Sequence, residues 1–324
     1  MEFTDGVFRN TAGVETRAAG FGESHSLDYV DTSHFISYMK DLVGALLSAP
    51  GAKTDVTVRT APFDFRYSPP SRESGEYFIK LRHLIEEMYV SNGNRSVAMV
   101  SHSLGSLITS SFLKTVSGEW KDRYIHSWSS LGGVLGGSIK EVKVLVSHGV
   151  LSGPDWLTNR LLQRRVARTV MGNYFMLPRH DVWNEDEVLL ATPQRNYTLG
   201  NLEQLFSDMG VKKGAEMWKT VRNASYIGDP GVRTFCFNGK DIATSHSFYY
   251  TKQKDFPDEI PEVVEGDGDG TVPHRSLRTC HEWTSTEQVF EYSGDAGEHD
   301  KIMDNPDLIK QIVRIVSQED NEVF

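Results

Sequence analysis

Between Ser96 and Lys114 the hydrophobic period of the chain changes abruptly. Ser96-Val-Ala-Met-Val-Ser is a compact apolar run of strand type. Leu104, Leu107, Ile108 and Phe112 then recur at spacings of three and four, which is one face of a helix. The junction reads Ser101-His102-Ser103-Leu104-Gly105. Strand passing into helix through small residues, repeated along the chain, points to a parallel sheet covered by helices.

That alternation extends over most of the sequence. Val14 to Phe21 reads as a strand, and Phe35 to Leu47 as a helix with Phe35, Met39, Leu42, Val43 and Leu46 on one face. Val56-Thr-Val-Arg59 reads as a strand. Gly75 to Val90 reads as a helix carrying Phe78, Leu81, Ile85 and Met88, with Glu86 and Glu87 on its wet side. Ile125 to Leu131 is the next strand and ends in a glycine-rich turn from Gly132 to Gly137. From about Ser147 to Pro230 the pattern breaks into polar turns, short helices and the tryptophans Trp156, Trp183 and Trp218. So long a stretch reads as an inserted cap rather than a loop. Alternation resumes at Val232-Arg-Thr-Phe-Cys-Phe, and Gln288-Val-Phe-Glu-Tyr is the last strand. A helix with Asn305 as N-cap and Pro306 at its first position follows. Residues 1–146 and 231–324 are therefore expected to form the two parts of one α/β core, with residues 147–230 as the cap.

Composition narrows the function classes. The 324 residues are 39% hydrophobic and 24% charged, an ordinary globular balance. With a net charge of −10 and only Arg160 to Arg168 as a basic run, no nucleic-acid partner is expected, and those arginines read as a solvated helix face. No stretch reaches the ~18 apolar residues of a membrane span. The polar, acidic start Met-Glu-Phe-Thr-Asp-Gly is not a signal peptide. Asn94, Asn196 and Asn223 each begin a glycosylation sequon. Cys236 and Cys280 read as buried thiols, or as a disulfide if the compartment is oxidising.

The chemistry-bearing pattern is the strand–turn–helix around Ser103, the setting of a nucleophile elbow in an α/β-hydrolase fold. Ser101 and Gly105 are small, which lets strand and helix approach, and the Leu104 N–H at the helix start is aimed at a developing oxyanion. A serine hydroxyl needs a base oriented by a carboxylate, and in this fold the chain order is serine, acid, histidine. The loop Glu265-Gly-Asp267-Gly-Asp269-Gly offers two acids, Asp267 and Asp269. A calcium loop fails on register there: counted from Glu265 the twelfth position is Ser276, and counted from Asp267 the sixth is Val272. His299 follows the last strand, where the base belongs, whereas His274 and His281 precede that strand and the turn directs His102 away from Ser103. No cluster has metal-ligand spacing and no phosphate-binding glycine loop follows the first strand, so neither metal nor cofactor is expected.

At these residues the chain resembles the lecithin:cholesterol acyltransferase family, which includes a lysosomal phospholipase A. The likeness is carried by Gly13-Val-Glu-Thr-Arg-Ala-Ala-Gly-Phe-Gly, Ala61-Pro-Phe-Asp64-Phe-Arg66, His102-Ser103-Leu104-Gly105, Gly136-Gly137-Ser138-Ile-Lys and Asp267-Gly-Asp269-Gly-Thr-Val. The resemblance implies Asp269 rather than Asp267 as the acid, His299 as the base, and a disulfide between Cys236 and Cys280. It also implies acyl transfer from a phospholipid at a membrane or lipoprotein surface to water or a lipid alcohol, in a secreted or lysosomal setting. Asp64 and Arg66 read as a structural ion pair. The family's first strand and its Pro-Gly-rich loop, which brings a second oxyanion donor, have no counterpart here. Loss of one such donor is expected to cost ~10²–10³ in rate, and loss of the strand to leave a sheet edge open. The expectation is that the full-length protein is active and this chain weak or inert. A lipase or esterase without phospholipid preference, and an inactive family member, are the rival readings.

Overall fold

In the computed structural model, residues 2–4, 7–30, 36–147, 159–211, 213–224 and 227–317 are described. An antiparallel ribbon of β1 (Glu2–Thr4) and β2 (Val7–Arg9) comes first. Then come α1 (Lys40–Leu47) and α2 (Arg72–Ser91). Ser71 caps α2 by accepting the Ser74 N–H, and Phe78, Leu81, Ile85 and Met88 are buried along it. β3 (Val97–His102) leads into α3 (Leu104–Leu113), and α4 (Gly118–Tyr124) into β4 (Ile125–Leu131). α5 (Lys140–Val146), α6 (Arg160–Ala167), α7 (Met171–Phe175), β5 (Val188–Ala191), β6 (Asn196–Thr198), α8 (Leu202–Asp208) and α9 (Gly214–Arg222) precede β7 (Thr234–Lys240). β8 (Thr244–Tyr249), β9 (Glu262–Gly266), α10 (His274–Leu277), β10 (Thr286–Ser293) and α11 (Pro306–Val316) follow. Asn305 caps α11 through the Asp307 and Leu308 N–H groups.

The central sheet has the order β10-β7-β4-β3, and every pair in it is parallel. Side chains alternate across it, so each strand serves two cores. Phe235 and Phe237 of β7 join Leu131, Leu42 and Val43 of α1, and Leu308 and Ile312 of α11 on one face. Cys236 and Trp128 join Leu81 and Ile85 of α2 and Leu107 and Phe112 of α3 on the other. Helices thus cover both faces, as the near-continuous apolar strands require. Cys236 and Cys280 are joined by a disulfide, which tethers β7 to the turn after α10.

A second sheet, β6-β5-β8-β9, was not expected. Its strands lie on either side of residue 230 in the sequence, and only β5–β8 is parallel. The strands expected at Val14 to Phe21 and Val56 to Arg59 are absent. A strand needs a neighbour, and near Arg59 the backbone is bonded elsewhere. Val56 and Thr57 N–H donate to Lys53 O, Ser24 Oγ–H donates to Val58 O, and Thr60 N–H donates to Glu23 O. β3 is the last strand of its sheet, and Val97 to Val100 are only half-buried. A cavity of about 400 Å³ runs beside it between α1 and α2, reaching His102 and Gly105.

The helix expected from Phe35 begins at Lys40; Phe35 and Trp156 lie outside the described residues. Two arginines of the run, Arg164 and Arg168, are not on a solvated face. Arg164 donates to Val146 O and Pro257 O, and Arg168 to Leu145 O, which pins α6 against the end of α5. Leu161, Leu162, Arg165 and Val166 of α6 are exposed. No described helix is long and apolar enough to cross a membrane.

Phe237 is fully buried at the centre of the sheet and stacks on Phe290 at 4.5 Å. Phe237→Ala is expected to lower stability by ~3–5 kcal/mol, read as the shift of the urea unfolding midpoint at unchanged slope.

Candidate active site

The turn from β3 into α3 places Ser103 at φ 54° and ψ −125°, in the left-handed region that residues with a side chain rarely adopt. Its backbone is held there, since the Ser103 N–H donates to Leu131 O and its carbonyl accepts the Ser106 N–H, both at 3.0 Å. The strain turns the hydroxyl out of the sheet. The Leu104 N–H, first in α3, has no intrahelical acceptor by position and carries the positive end of the helix dipole.

Below the turn lies a serine network that the sequence did not suggest. Ser101 Oγ accepts from Trp128 Nε1–H at 2.8 Å and is bonded to Ser106 Oγ at 3.1 Å, and Ser130 Oγ–H donates to Ser106 Oγ at 3.0 Å. Ser101 therefore occupies its position for its hydroxyl as much as for its size. Gly105 is less tightly constrained than expected: a methyl there would meet Ser101 Cβ and a Phe63 ring carbon at 3.7 and 3.9 Å, ordinary contacts.

Ser103 Oγ lies 2.9 Å from His299 Nε2, and His299 Nδ1 lies 2.6 Å from Asp269 Oδ2. Asp269 is fully buried and His299 nearly so. The other carboxylate oxygen accepts the Thr271 and Val272 N–H groups at 3.0 and 2.7 Å, so both oxygens of the buried group are occupied. With Asp269 accepting, Nδ1 carries the imidazole hydrogen and Nε2 is left to accept from Ser103. The His299 N–H also donates to Asp269 O at 2.8 Å, which ties the two loops together by main chain.

The remaining candidates stand apart from this chain of bonds. Asp267 is exposed, accepts the Asp241 N–H and pairs with His274. His274 also reaches Glu291, and His281 bonds Asn238. Asp64 and Arg66 form an ion pair, with Arg66 Nε 2.7 Å from Asp64 Oδ1, and Arg66 O accepts the Met171 N–H, which fixes this segment on α7. Asn94, Asn196 and Asn223 are all exposed.

Two glycines prove to be site residues. Gly132, at φ +50°, lies so close that a Cβ there would sit 3.1 Å from His299 Nδ1 and 3.4 Å from Asp269 Oδ2. A Cβ on Gly239 would sit 1.9 Å from Gly297 O and 2.7 Å from Asp269 Cβ. Position at the ends of β4 and β7 was the available signal, because sites of open α/β sheets form at the carboxyl ends of strands.

Comparison with protein families matches residues 1–226 and 212–302 to lecithin:cholesterol acyltransferase. The chain belongs to that family. Phosphatidylcholine-sterol acyltransferase of Rattus norvegicus is 36% identical over 281 residues, which cover 86% of this chain and 62% of the rat protein. Lysosomal phospholipase A and acyltransferase of Mus musculus is 34% identical over 313 residues, covering 94% of this chain and 73% of the mouse protein. The matched region thus spans under two-thirds of the rat relative's length. Among solved structures, the Tle4-Tli4 complex superposes with a TM-score of 0.50 at 14% identity, covering 79% of this chain and 68% of that one, a likeness of fold alone. The parallel sheet and the elbow make the family's fold here an α/β-hydrolase fold.

Gly132→Ala is expected to push the His299 ring off Asp269. The check is the low-field Nδ1–H proton resonance of His299 by NMR, which should vanish in Gly132→Ala. It should persist in Gly118→Ala, where a methyl would meet open space.

Proposed function

We propose that Ser103, His299 and Asp269 are a catalytic triad that moves an acyl chain from a glycerophospholipid ester to water or to a lipid alcohol. The observation that carries this reading is the unbroken chain from Ser103 Oγ through the His299 ring to the buried Asp269 carboxylate, at 2.9 and 2.6 Å. His299 Nε2 takes the Ser103 proton as Oγ attacks the ester carbonyl, and the oxygen that becomes negative is met by the Leu104 N–H. His299 then hands the proton to the departing lysophospholipid oxygen, which leaves an acyl ester on Ser103. In the second half, His299 deprotonates the acceptor as it attacks the acyl carbonyl, and returns that proton to Ser103 Oγ as the acyl–Oγ bond breaks. Asp269 holds the imidazole tautomer and offsets the imidazolium charge without taking the proton.

The lipid substrate is supported by the relatives' names, a phosphatidylcholine-sterol acyltransferase and a lysosomal phospholipase A and acyltransferase. It is supported also by α6, whose exposed Leu161, Leu162 and Val166 flank Arg165, the composition of a helix face that rests on a lipid surface. In this reading residues 1–146 and 231–324 carry the triad, and residues 147–230 cap it and hold the acyl chain. The disulfide and the exposed sequon asparagines fit a secretory or lysosomal lumen.

The test follows a labelled acyl chain in phospholipid liposomes that contain a lipid alcohol. Label should enter free fatty acid or a new ester with the wild-type chain and not with Ser103→Ala, and the product ratio ranks water against alcohol. Cleavage of soluble esters with no response to liposomes would instead fit a general esterase. No Ser103-dependent product from either this chain or an N-terminally extended form would end the proposal. Each buried leucine contributes ~1.5–3 kcal/mol, so Leu161→Asp combined with Leu162→Asp is expected to reduce co-sedimentation with the vesicles at least ~tenfold.

A further inference from the structure

His102, which the turn directs away from Ser103, is buried and bonded at both ring nitrogens. Its Nε2 lies 3.0 Å from the backbone carbonyl of His299, and its Nδ1 lies 3.0 Å from the Tyr38 hydroxyl. The His102 and His299 rings are in contact at 4.7 Å between centroids, tilted by 41°, and Tyr38 approaches His102 edge-on at 5.7 Å. Neither Tyr38 nor His102 has a part in the proton transfers proposed above.

We propose that His102 is a positioning residue for His299: it is held as the Nε2–H tautomer by Tyr38 and clamps the backbone of the base to the residue that precedes the nucleophile. The proposal rests on His299 acting as the base for Ser103.

The proton arrangement follows from the partners. A carbonyl oxygen only accepts, so Nε2 must carry hydrogen and donate to His299 O. A neutral imidazole has one N–H, which leaves Nδ1 as acceptor and makes the Tyr38 O–H its donor. The line of bonds then runs one way, from Tyr38 O–H to His102 Nδ1 and from His102 Nε2–H to His299 O. Burial first, and then the neighbouring His299, hold His102 well below the usual histidine range. Burial first, and then Asp300, push Tyr38 up to about 12. Both groups therefore stay neutral around pH 7. The charge that forms on His299 meets an uncharged ring at contact distance rather than a second cation.

What the clamp adds is geometric. The His299 N–H is already bonded to Asp269 O at 2.8 Å. With His102 on the carbonyl, the main chain on both sides of the His299 side chain is tied, one side to the acid and the other to the elbow. A displacement of Ser103 therefore carries its base with it. The distance from Oγ to Nε2 is kept by main-chain ties rather than by the side-chain bond alone.

The test is the single-turnover reaction of Ser103 with a fluorophosphonate, followed from pH 5 to 9 in the wild type, His102→Gln, His102→Ala and Tyr38→Phe, with a melting temperature for each. Gln can still donate an N–H to His299 O, whereas Ala cannot. Because misplacement by ~1 Å costs ~10²-fold, His102→Ala is expected to react ~10–10² times more slowly, with unchanged reagent affinity and a displaced pH midpoint, and Gln to restore most of the rate. Tyr38→Phe, which removes the donor that sets the tautomer, should fall between. The proposal is overturned if folded His102→Ala keeps the wild-type rate and pH midpoint within about twofold. It is overturned also if Gln is as slow as Ala at equal melting temperature. Should the Ala variant not fold, wild-type behaviour of Tyr38→Phe is enough to overturn it. Absence of label on Ser103 in the wild type removes the triad reading itself, which sets that failure apart from a failure of the clamp alone.

Discussion

A carboxylate taken wholly out of water must find its hydrogen bonds inside the protein, and the arrangement around Asp269 follows from that need. One oxygen takes two backbone N–H groups of its own loop, and the other takes the His299 ring at 2.6 Å. The carboxylate therefore orients the His299 ring, whose Nε2 then lies 2.9 Å from Ser103 Oγ. Small residues keep this bond possible. A Cβ at Gly132 would press on the His299 ring and one at Gly239 on Gly297 O and Asp269 Cβ, so the site, as well as the φ of +50° at Gly132, calls for glycine at these two positions.

The parallel sheet delivers the remaining part. β3, β4, β7 and β10 run in one direction, so their carboxyl ends gather Ser103, Gly132, Gly239 and His299 at one rim. Asp269 comes from the second sheet, by the loop after β9, and is joined to the rim by the parallel bridge between Ile242 and Asp269 and by the His299 N–H. The strained Ser103 backbone is maintained by Leu131 O from the next strand and by the serine network beneath it. That network is polar and buried, with a partner for each hydroxyl named above, which is the condition under which such groups stiffen a core instead of weakening it.

Much of this was legible in the order of the residues, and the parts that were not have a common cause. Helix faces such as that of α2 and the cap of α11 are local in origin, so 3.6-residue spacing and an Asn-Pro pair suffice to find them. The elbow was readable because Ser103, flanked by the small Ser101 and Gly105, stands between an apolar strand run and a helix. Val14 to Phe21 and Val56 to Arg59 failed as strands because alternation is a local property and pairing is not. The sheet of β5, β6, β8 and β9 was missed for the same reason, since its short strands are recruited from distant parts of the chain. Spacing left Asp267 and Asp269 equal and the resemblance chose Asp269; in the structure Asp267 faces solvent beside His274, and Asp269 faces His299. Arg164 and Arg168 misled because helical spacing cannot show that carbonyls of α5 wait for them.

The central claim is that Asp269, by holding His299, makes Ser103 a nucleophile. The direct measurement is the rate at which a fluorophosphonate modifies Ser103 in Asp269→Asn, by intact mass and peptide mapping, beside the wild type at equal fold by circular dichroism. An amide can donate to Nδ1 and leave the wrong tautomer at Nε2, so the account predicts a fall of ~10³–10⁴ with the label still on Ser103. A folded variant that labels within about tenfold of the wild type, or a label on another residue, would contradict it.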